Sequence, residues 1–246
     1  KGSDLLPAVA KLDDASERLI GQLLERGDFD AALGDTQLVP FAPGLGADRI
    51  LLVGLGERAK CQEAAFIKAL DAAMVALTKL PIDEANATFT DVPLEGRDAV
   101  WKARKTLEAA ERAIYRFDQF KSSPAKAPSL AKLTLIVSDA SDAPLAKQGA
   151  ALGTAIGQGI NFTRTLGNLP GNVCTPRYLA EQAEALGRDS QGALDVEILD
   201  EEALEALGAH SLLSVGRGSV EPTRLIVMKY QGAETPEEAP HVLVGK

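Results

Sequence analysis

Few side chains of this 246-residue sequence are spaced for chemistry. Gly54-Leu55-Gly56-Glu57-Arg58-Ala59 formally fits G-x-G-x-x-A, a loop whose glycines let a pyrophosphate approach backbone amides at a helix N-terminus. The plainer reading is a glycine turn leaving a buried strand, because no helix clearly begins until past Lys60 and a lone motif of this kind is weak. His210 and His241 stand alone, with no H-E-x-x-H and no acid at ligand spacing, so surface or packing roles are expected. Cys174 lies in a loop, yet neither histidine is placed by a cysteine-enzyme signature, and a structural thiol is expected. Ser214 lacks the G-x-S-x-G elbow, which leaves serine-hydrolase chemistry without support. Lys246 follows Val244-Gly245, and from those three residues alone it reads as an exposed cation at a strand end.

The elements that would position such groups follow from hydrophobic spacing. Leu19, Ile20, Leu23 and Leu24 recur at helical intervals, so one helix is expected within Leu5 to Asp30, stopped by Gly27-Asp28. Arg49 to Gly56 is continuously apolar and ends in glycines, the pattern of a central parallel strand buried on both faces. Helices are expected over Ala64 to Leu80, Ala99 to Phe120 and Pro144 to Leu166, with strands over Ala87 to Thr90 and Lys132 to Ser138. Asn168-Leu169-Pro170-Gly171-Asn172 predicts an irregular loop, and Thr175-Pro176 an N-cap followed by proline at the first helical position, leading into Arg177 to Gly187. Strands over Leu194 to Leu199, Arg224 to Tyr230 and His241 to Val244, with a short helix over Asp200 to Leu207, complete an α/β order around a largely parallel sheet.

Composition narrows the partners. Lys plus Arg number 26 against 35 Asp plus Glu, a formal charge of -9 that repels phosphate backbones and argues against nucleic acid as the main partner. Two cysteines without CxxC spacing suggest neither a disulfide framework nor a zinc ribbon and fit a reducing compartment. No run approaches the roughly 18 apolar residues of a membrane span, and Lys1-Gly2-Ser3-Asp4 has no signal-peptide character, so a soluble cytoplasmic protein without a membrane partner is expected. The missing initiating Met, and an end directly after an apolar stretch, suggest that both termini are cropped.

The last eighty or so residues carry a resemblance. Asn168-Leu169-Pro170-Gly171-Asn172-Val173-Cys174-Thr175-Pro176 resembles the N-x-P-x-N-x-x-T-P segment that opens the catalytic domain of leucyl aminopeptidases of the cytosol (M17) type. Ser214-Val215-Gly216-Arg217-Gly218-Ser219 with Pro222 resembles that family's V-G-x-G-S turn, and Arg224 to Tyr230 its R-L-I-x-L-x-Y strand. Val244-Gly245-Lys246 looks like the start of V-G-K-G-x-T-F-D-[ST]-G-G. Leu169 stands where an acid is common and Cys174 where an aliphatic residue is usual.

The resemblance implies an N-terminal macro-domain-like α/β unit (residues 1–143), a linker helix (144–166) and the truncated start of an α/β catalytic domain (167–246). It also implies two divalent metal ions per subunit, manganese or zinc, peptide substrates with apolar N-terminal residues such as leucine, and a homohexamer. Lys246 is the one site residue it assigns, as a metal ligand; the other ligands and catalytic groups would lie past the last residue, so the chain as given is expected to be inactive. Such a lysine must ligate as the free amine, which from a pKa of about 10.4 costs roughly 4 to 5 kcal/mol at neutral pH unless adjacent dications and desolvation offset it. Two other readings stay open: a nucleotide or ADP-ribose binding module built on Gly54 and Gly56, and a catalytically silent oligomerising scaffold.

Overall fold

The computed structural model describes residues 5–232 and 239–245. It is mixed α/β and divides into two compact units, Lys1–Thr165 and Leu166–Lys246.

The first unit begins with two helices rather than the single one expected: α1 (Pro7–Ala15) and α2 (Leu19–Arg26). Glu17 and Arg18 sit at φ 57° and 62°, which breaks the helix. The break is held from inside: the buried Asp13 carboxylate accepts the Gly21 N–H at 2.9 Å, and the Ser16 hydroxyl donates to the Leu12 carbonyl at 2.7 Å. Asp13 thus serves an orphan N–H of the second helix from the end of the first. Gly27 then closes α2 at φ 76°, the left-handed cap that glycine adopts without steric cost.

Strands β1 (Thr36–Val39) and β2 (Ile50–Val53) form an antiparallel pair. The expectation of a central parallel strand at Arg49 to Gly56 is therefore corrected: β2 pairs only with β1 among the described residues, and Leu52 alone of its four residues is buried. Residues 40–49 return the chain directly, and a direct return gives antiparallel pairing because a parallel one needs a crossover. Such a crossover joins β3 (Glu84–Ala87) to β4 (Lys132–Leu135), which run parallel with α4 (Ala99–Ile114) between them. The strand expected over Ala87 to Thr90 ends at Ala87, and a short 3₁₀ turn occupies Phe89–Asp91.

The core of this unit lies on α3 (Glu63–Leu77), where Phe66, Leu70, Met74 and Leu77 recur every three or four residues and are buried. Phe66 meets Phe89 edge to face, ring centroids 6.2 Å apart, and Trp101 at 5.8 Å. Asp98 caps α4 by accepting the Trp101 N–H at 2.8 Å. Helix α5 (Ala143–Asn168) lies so close to α4 that a Cβ at Gly153 would stand 2.3 Å from the Arg104 carbonyl oxygen.

The second unit is α6 (Pro176–Asp189), β5 (Leu194–Leu199), α7 (Glu201–Ala206), α8 (His210–Gly216) and β6 (Leu225–Tyr230). β5 and β6 pair antiparallel from Leu194↔Tyr230 to Leu199↔Leu225. Two of the three strand pairings among the described residues are thus antiparallel, against the largely parallel sheet expected. The strand expected over His241 to Val244 is also absent: residues 239–245 have no regular structure, and Val242, Leu243 and Val244 are 75, 97 and 94% exposed. An apolar run becomes a strand only when a neighbour completes its ladder, and none is present among the described residues.

Candidate functional site

The second unit opens with a loop whose hydrogen bonds are local. The Pro170 carbonyl accepts the N–H groups of Val173 and Cys174 at 2.8 and 2.9 Å, which winds residues 170–174 into a tight turn. Thr175 leaves that turn in extended conformation, and its hydroxyl accepts the Tyr178 N–H at 3.2 Å. With Pro176 at the first helical position, this is the N-terminus expected from Thr175-Pro176. Helix α6 buries Ala180 and Ala183 and sets Gly187 against Val196 of β5, where a Cβ would lie 3.0 Å from a Val196 methyl.

The next turn ties both strands together. Asp200 caps α7 through the Ala203 N–H at 3.0 Å, and the neighbouring Glu201 carboxylate accepts the Thr223 N–H at 2.9 Å. Helix α8, unforeseen in the sequence, ends at Gly216, and the V-G-x-G-S segment turns there, with the Ser219 N–H on the Gly216 carbonyl at 2.9 Å. A Cβ at Gly216 would fall 2.1 Å from the Thr223 hydroxyl oxygen, so a side chain has no room there. The Thr223 hydroxyl is itself buried without a hydrogen-bond partner, an uncommon state for a buried polar atom. On the exposed side, Lys229 pairs with Glu197 at 3.2 Å across β5 and β6.

These elements lead the chain through β6 toward Lys246, the metal ligand implied by the sequence, which lies outside the described residues. Among the described residues no three His, Cys, Asp or Glu side chains come together to hold a metal ion. The donors among the described residues therefore do not make a metal site by themselves.

The remaining candidates take the plainer roles. His210 Nδ1 stands 3.5 Å from Glu205 Oε1, with both side chains about two-thirds exposed, which is a surface pair. Cys174, the loop thiol, is half-buried and free; the other cysteine, Cys61, is also half-buried, and burial pushes its thiol pKa up, which disfavours the reactive thiolate. At the glycine turn, the Gly54 N–H donates to the Asp35 carbonyl at 2.8 Å and the Gly56 N–H to the Ala31 carbonyl at 3.0 Å. The amides of both glycines are thus committed to the chain itself. A Cβ at Gly54 would stand 1.9 Å from the Ala32 carbonyl oxygen, and Gly56 has φ 71°, so these glycines serve close backbone approach and a left-handed turn. Between Gly56 and α3 comes a 3₁₀ turn, Arg58–Lys60, so no long helix opens at the loop.

Comparison with known proteins places both units. Residues 1–124 match the N-terminal domain of the cytosol aminopeptidase family, and residues 161–246 match that family's catalytic domain. The chain is 69% identical over all 246 residues to a probable cytosol aminopeptidase of Chromohalobacter salexigens, covering 48% of that protein. It is 41% identical, again over its whole length, to the cytosol aminopeptidase of Pseudomonas aeruginosa, covering 49% of it. The chain thus spans about half the length of the curated relatives it matches. Among solved structures, the bottromycin maturation enzyme BotP in complex with Mn superposes with a TM-score of 0.70 at 27% identity, over 85% of this chain and 42% of that one. A mutant of tomato leucine aminopeptidase, at 22% identity, shares the fold with a TM-score of 0.75 over 95% of this chain and 45% of its own. With both domain models matched in order along its length, the chain belongs to the cytosol aminopeptidase family.

Proposed function

We propose that the complete protein is a metal-dependent aminopeptidase that releases apolar N-terminal residues, leucine among them, from peptides, and that residues 1–246 supply its N-terminal domain and the first part of its catalytic domain. The observation that carries this reading is the succession of the two family matches, N-terminal domain before catalytic domain. The manganese in the complex of the BotP neighbour supports a divalent ion as cofactor. Two ions, manganese or zinc, would supply Lewis-acid polarisation of the scissile carbonyl and a water activated at neutral pH. This chain's part is one donor, Lys246, carried at the end of the Val-Gly-Lys segment, with the other ligands contributed by sequence past it. We further propose a cytoplasmic homohexamer; no helix of the described residues is long and apolar enough to cross a membrane.

The test uses the full-length protein. Exhaustive chelation should abolish hydrolysis of a leucyl anilide, added Mn or Zn should restore it, and an N-acetylated leucyl substrate should resist cleavage because the free α-amine is required. Hydrolysis that survives chelation, or that proceeds equally on the acetylated substrate, would refute the reading. Nucleotide or ADP-ribose binding has little geometric support, since the Gly54 and Gly56 amides are already bonded within the chain.

A further inference from the structure

The last turns of α5 are built from residues that weaken a helix. Gly149, Gly153 and Gly157 answer to α4, where a Cβ would stand 2.2 Å from the Val100 carbonyl oxygen, 2.3 Å from that of Arg104 and 2.4 Å from Glu111 Cβ. Gly159 and Gly167 answer to no such contact, since a Cβ at either would have open space around it among the described residues. Glycine is the poorest helix former after proline. Between these two, the Thr163 hydroxyl donates to the Gly159 carbonyl and the Thr165 hydroxyl to the Asn161 carbonyl, both at 3.0 Å, and back-bonding of this kind slightly destabilises and bends a helix. No described residue of α5 after Gly157 is buried, so apolar packing does not offset the weakness.

This stretch is held by polar contacts to the end of α4. The last carbonyls of a helix have no partner within it, and two of those of α4 are met from α5. Asn161 Nδ2 donates to the Glu111 carbonyl at 2.9 Å, and Arg164 Nη1 to the Arg112 carbonyl at 3.5 Å. The Arg164 guanidinium also lies 3.9 Å from the centre of the Tyr115 ring, a cation–π contact. The Tyr115 hydroxyl is 3.3 Å from that of Thr165. All of these residues belong to the first unit, whose division from the second falls between Thr165 and Leu166, inside α5.

We infer that residues 159–168 are a hinge in α5, and that Arg164 stacked on Tyr115 is the latch that keeps it helical. Opening breaks the contacts to the end of α4 and a few backbone hydrogen bonds. It leaves intact the buried seam at Gly149, Gly153 and Gly157, so it proceeds by local unfolding without loss of the unit. The chain passes from the first unit into the second within this hinge, so the latch sets how stiffly it does so.

Hydrogen exchange on the full-length protein tests this. The amides of residues 161–166 should exchange at least about 10-fold faster than those of residues 149–157, as a locally opening segment does beside a packed one. Equal rates along α5 overturn the hinge, because the helix then opens only as a whole. Arg164→Met keeps the helix propensity and removes the guanidinium. It should speed exchange of residues 161–166 by a further factor of about 3 to 30, the range that loss of a cation–π contact allows, and leave residues 149–157 unchanged. Tyr115→Leu should act alike, whereas Tyr115→Phe, which keeps the ring face, should stay near the unsubstituted rate. No acceleration in Arg164→Met, or acceleration shared equally by residues 149–157, overturns the latch. A Tyr115→Phe variant as fast as Tyr115→Leu also overturns it, since the hydroxyl rather than the ring would then be the holding group. Arg164 is exposed, so Arg164→Met alone decides if Tyr115→Leu does not fold.

Discussion

A carboxylate in the first unit shows how single charges organise irregular chain. After α4 ends, residues 115–131 run without regular structure, and Arg116 gathers them: its guanidinium donates to the Asp118 carboxylate and to the carbonyls of Ala125 and Lys126. Lys121 reaches the same carboxylate at 2.7 Å. Hydrogen bonds from Lys121, joined by Arg116, hold Asp118 below the usual carboxylate range. A group depressed in the folded state stabilises above its unfolded pKa, and the benefit disappears as pH falls through the folded value. Asp118→Asn should therefore lower Tm at neutral pH, with the gap to the unsubstituted protein closing well below the carboxylate range. Thermal melts across acidic pH check this, and a pH-independent gap would mean that the carboxylate acts through shape alone. Thr175 offers a second residue of this kind: its hydroxyl caps α6, and Thr175→Ala should cost about 1 kcal/mol in denaturant unfolding.

Elements whose ends are set by neighbouring residues were legible in the sequence, and those set by distant partners were not. Thr175-Pro176 and Asp200 announce α6 and α7 because capping is a contact across three residues. The break between α1 and α2 needs Asp13 to reach Gly21 and needs positive φ at Glu17 and Arg18, none of which hydrophobic spacing records. The direction of β2, likewise, depends on β1, a short Thr-Gln-Leu-Val strand too weakly patterned to be foreseen. In α5 the spacing shows a helix but not its contacts, and those decide which glycines matter. Gly153→Ala would push a methyl group against the Arg104 carbonyl at 2.3 Å and Leu107 Cβ at 2.9 Å, and should destabilise by about 1 to 3 kcal/mol. Gly159→Ala, on the same helix with open space around it, should instead stabilise by roughly 0.5 to 1 kcal/mol. Opposite signs in urea unfolding check the pair; equal effects would mean that α5 does not approach α4 this closely.

For the molecule as a whole, the candidate site was legible only by resemblance, because a metal centre is assembled from groups scattered along a chain and the described residues hold no such cluster. Lys246 illustrates the dependence. A lone ammonium at neutral pH has no lone pair to offer and gives up its proton only where neighbouring positive charge and desolvation make the free amine the better state. On the proposed function its role is conditional on ligands that residues 1–246 do not supply, and under that proposal a substitution there acts on one ion rather than on the fold. In the full-length protein, Lys246→Met keeps an unbranched side chain one atom shorter and removes the amine donor. Loss of even an outer partner of a metal ligand typically costs 10- to 100-fold in affinity or activity, so loss of a ligand should cost at least about 100-fold in kcat/KM. If the proposed two ions are bound, metal analysis by mass spectrometry should show divalent ion falling by about one per chain, with the Tm of the metal-free protein unchanged. A variant that kept both ions and full activity would return Lys246 to the role that Val-Gly-Lys alone suggests, an exposed cation at the end of an apolar run.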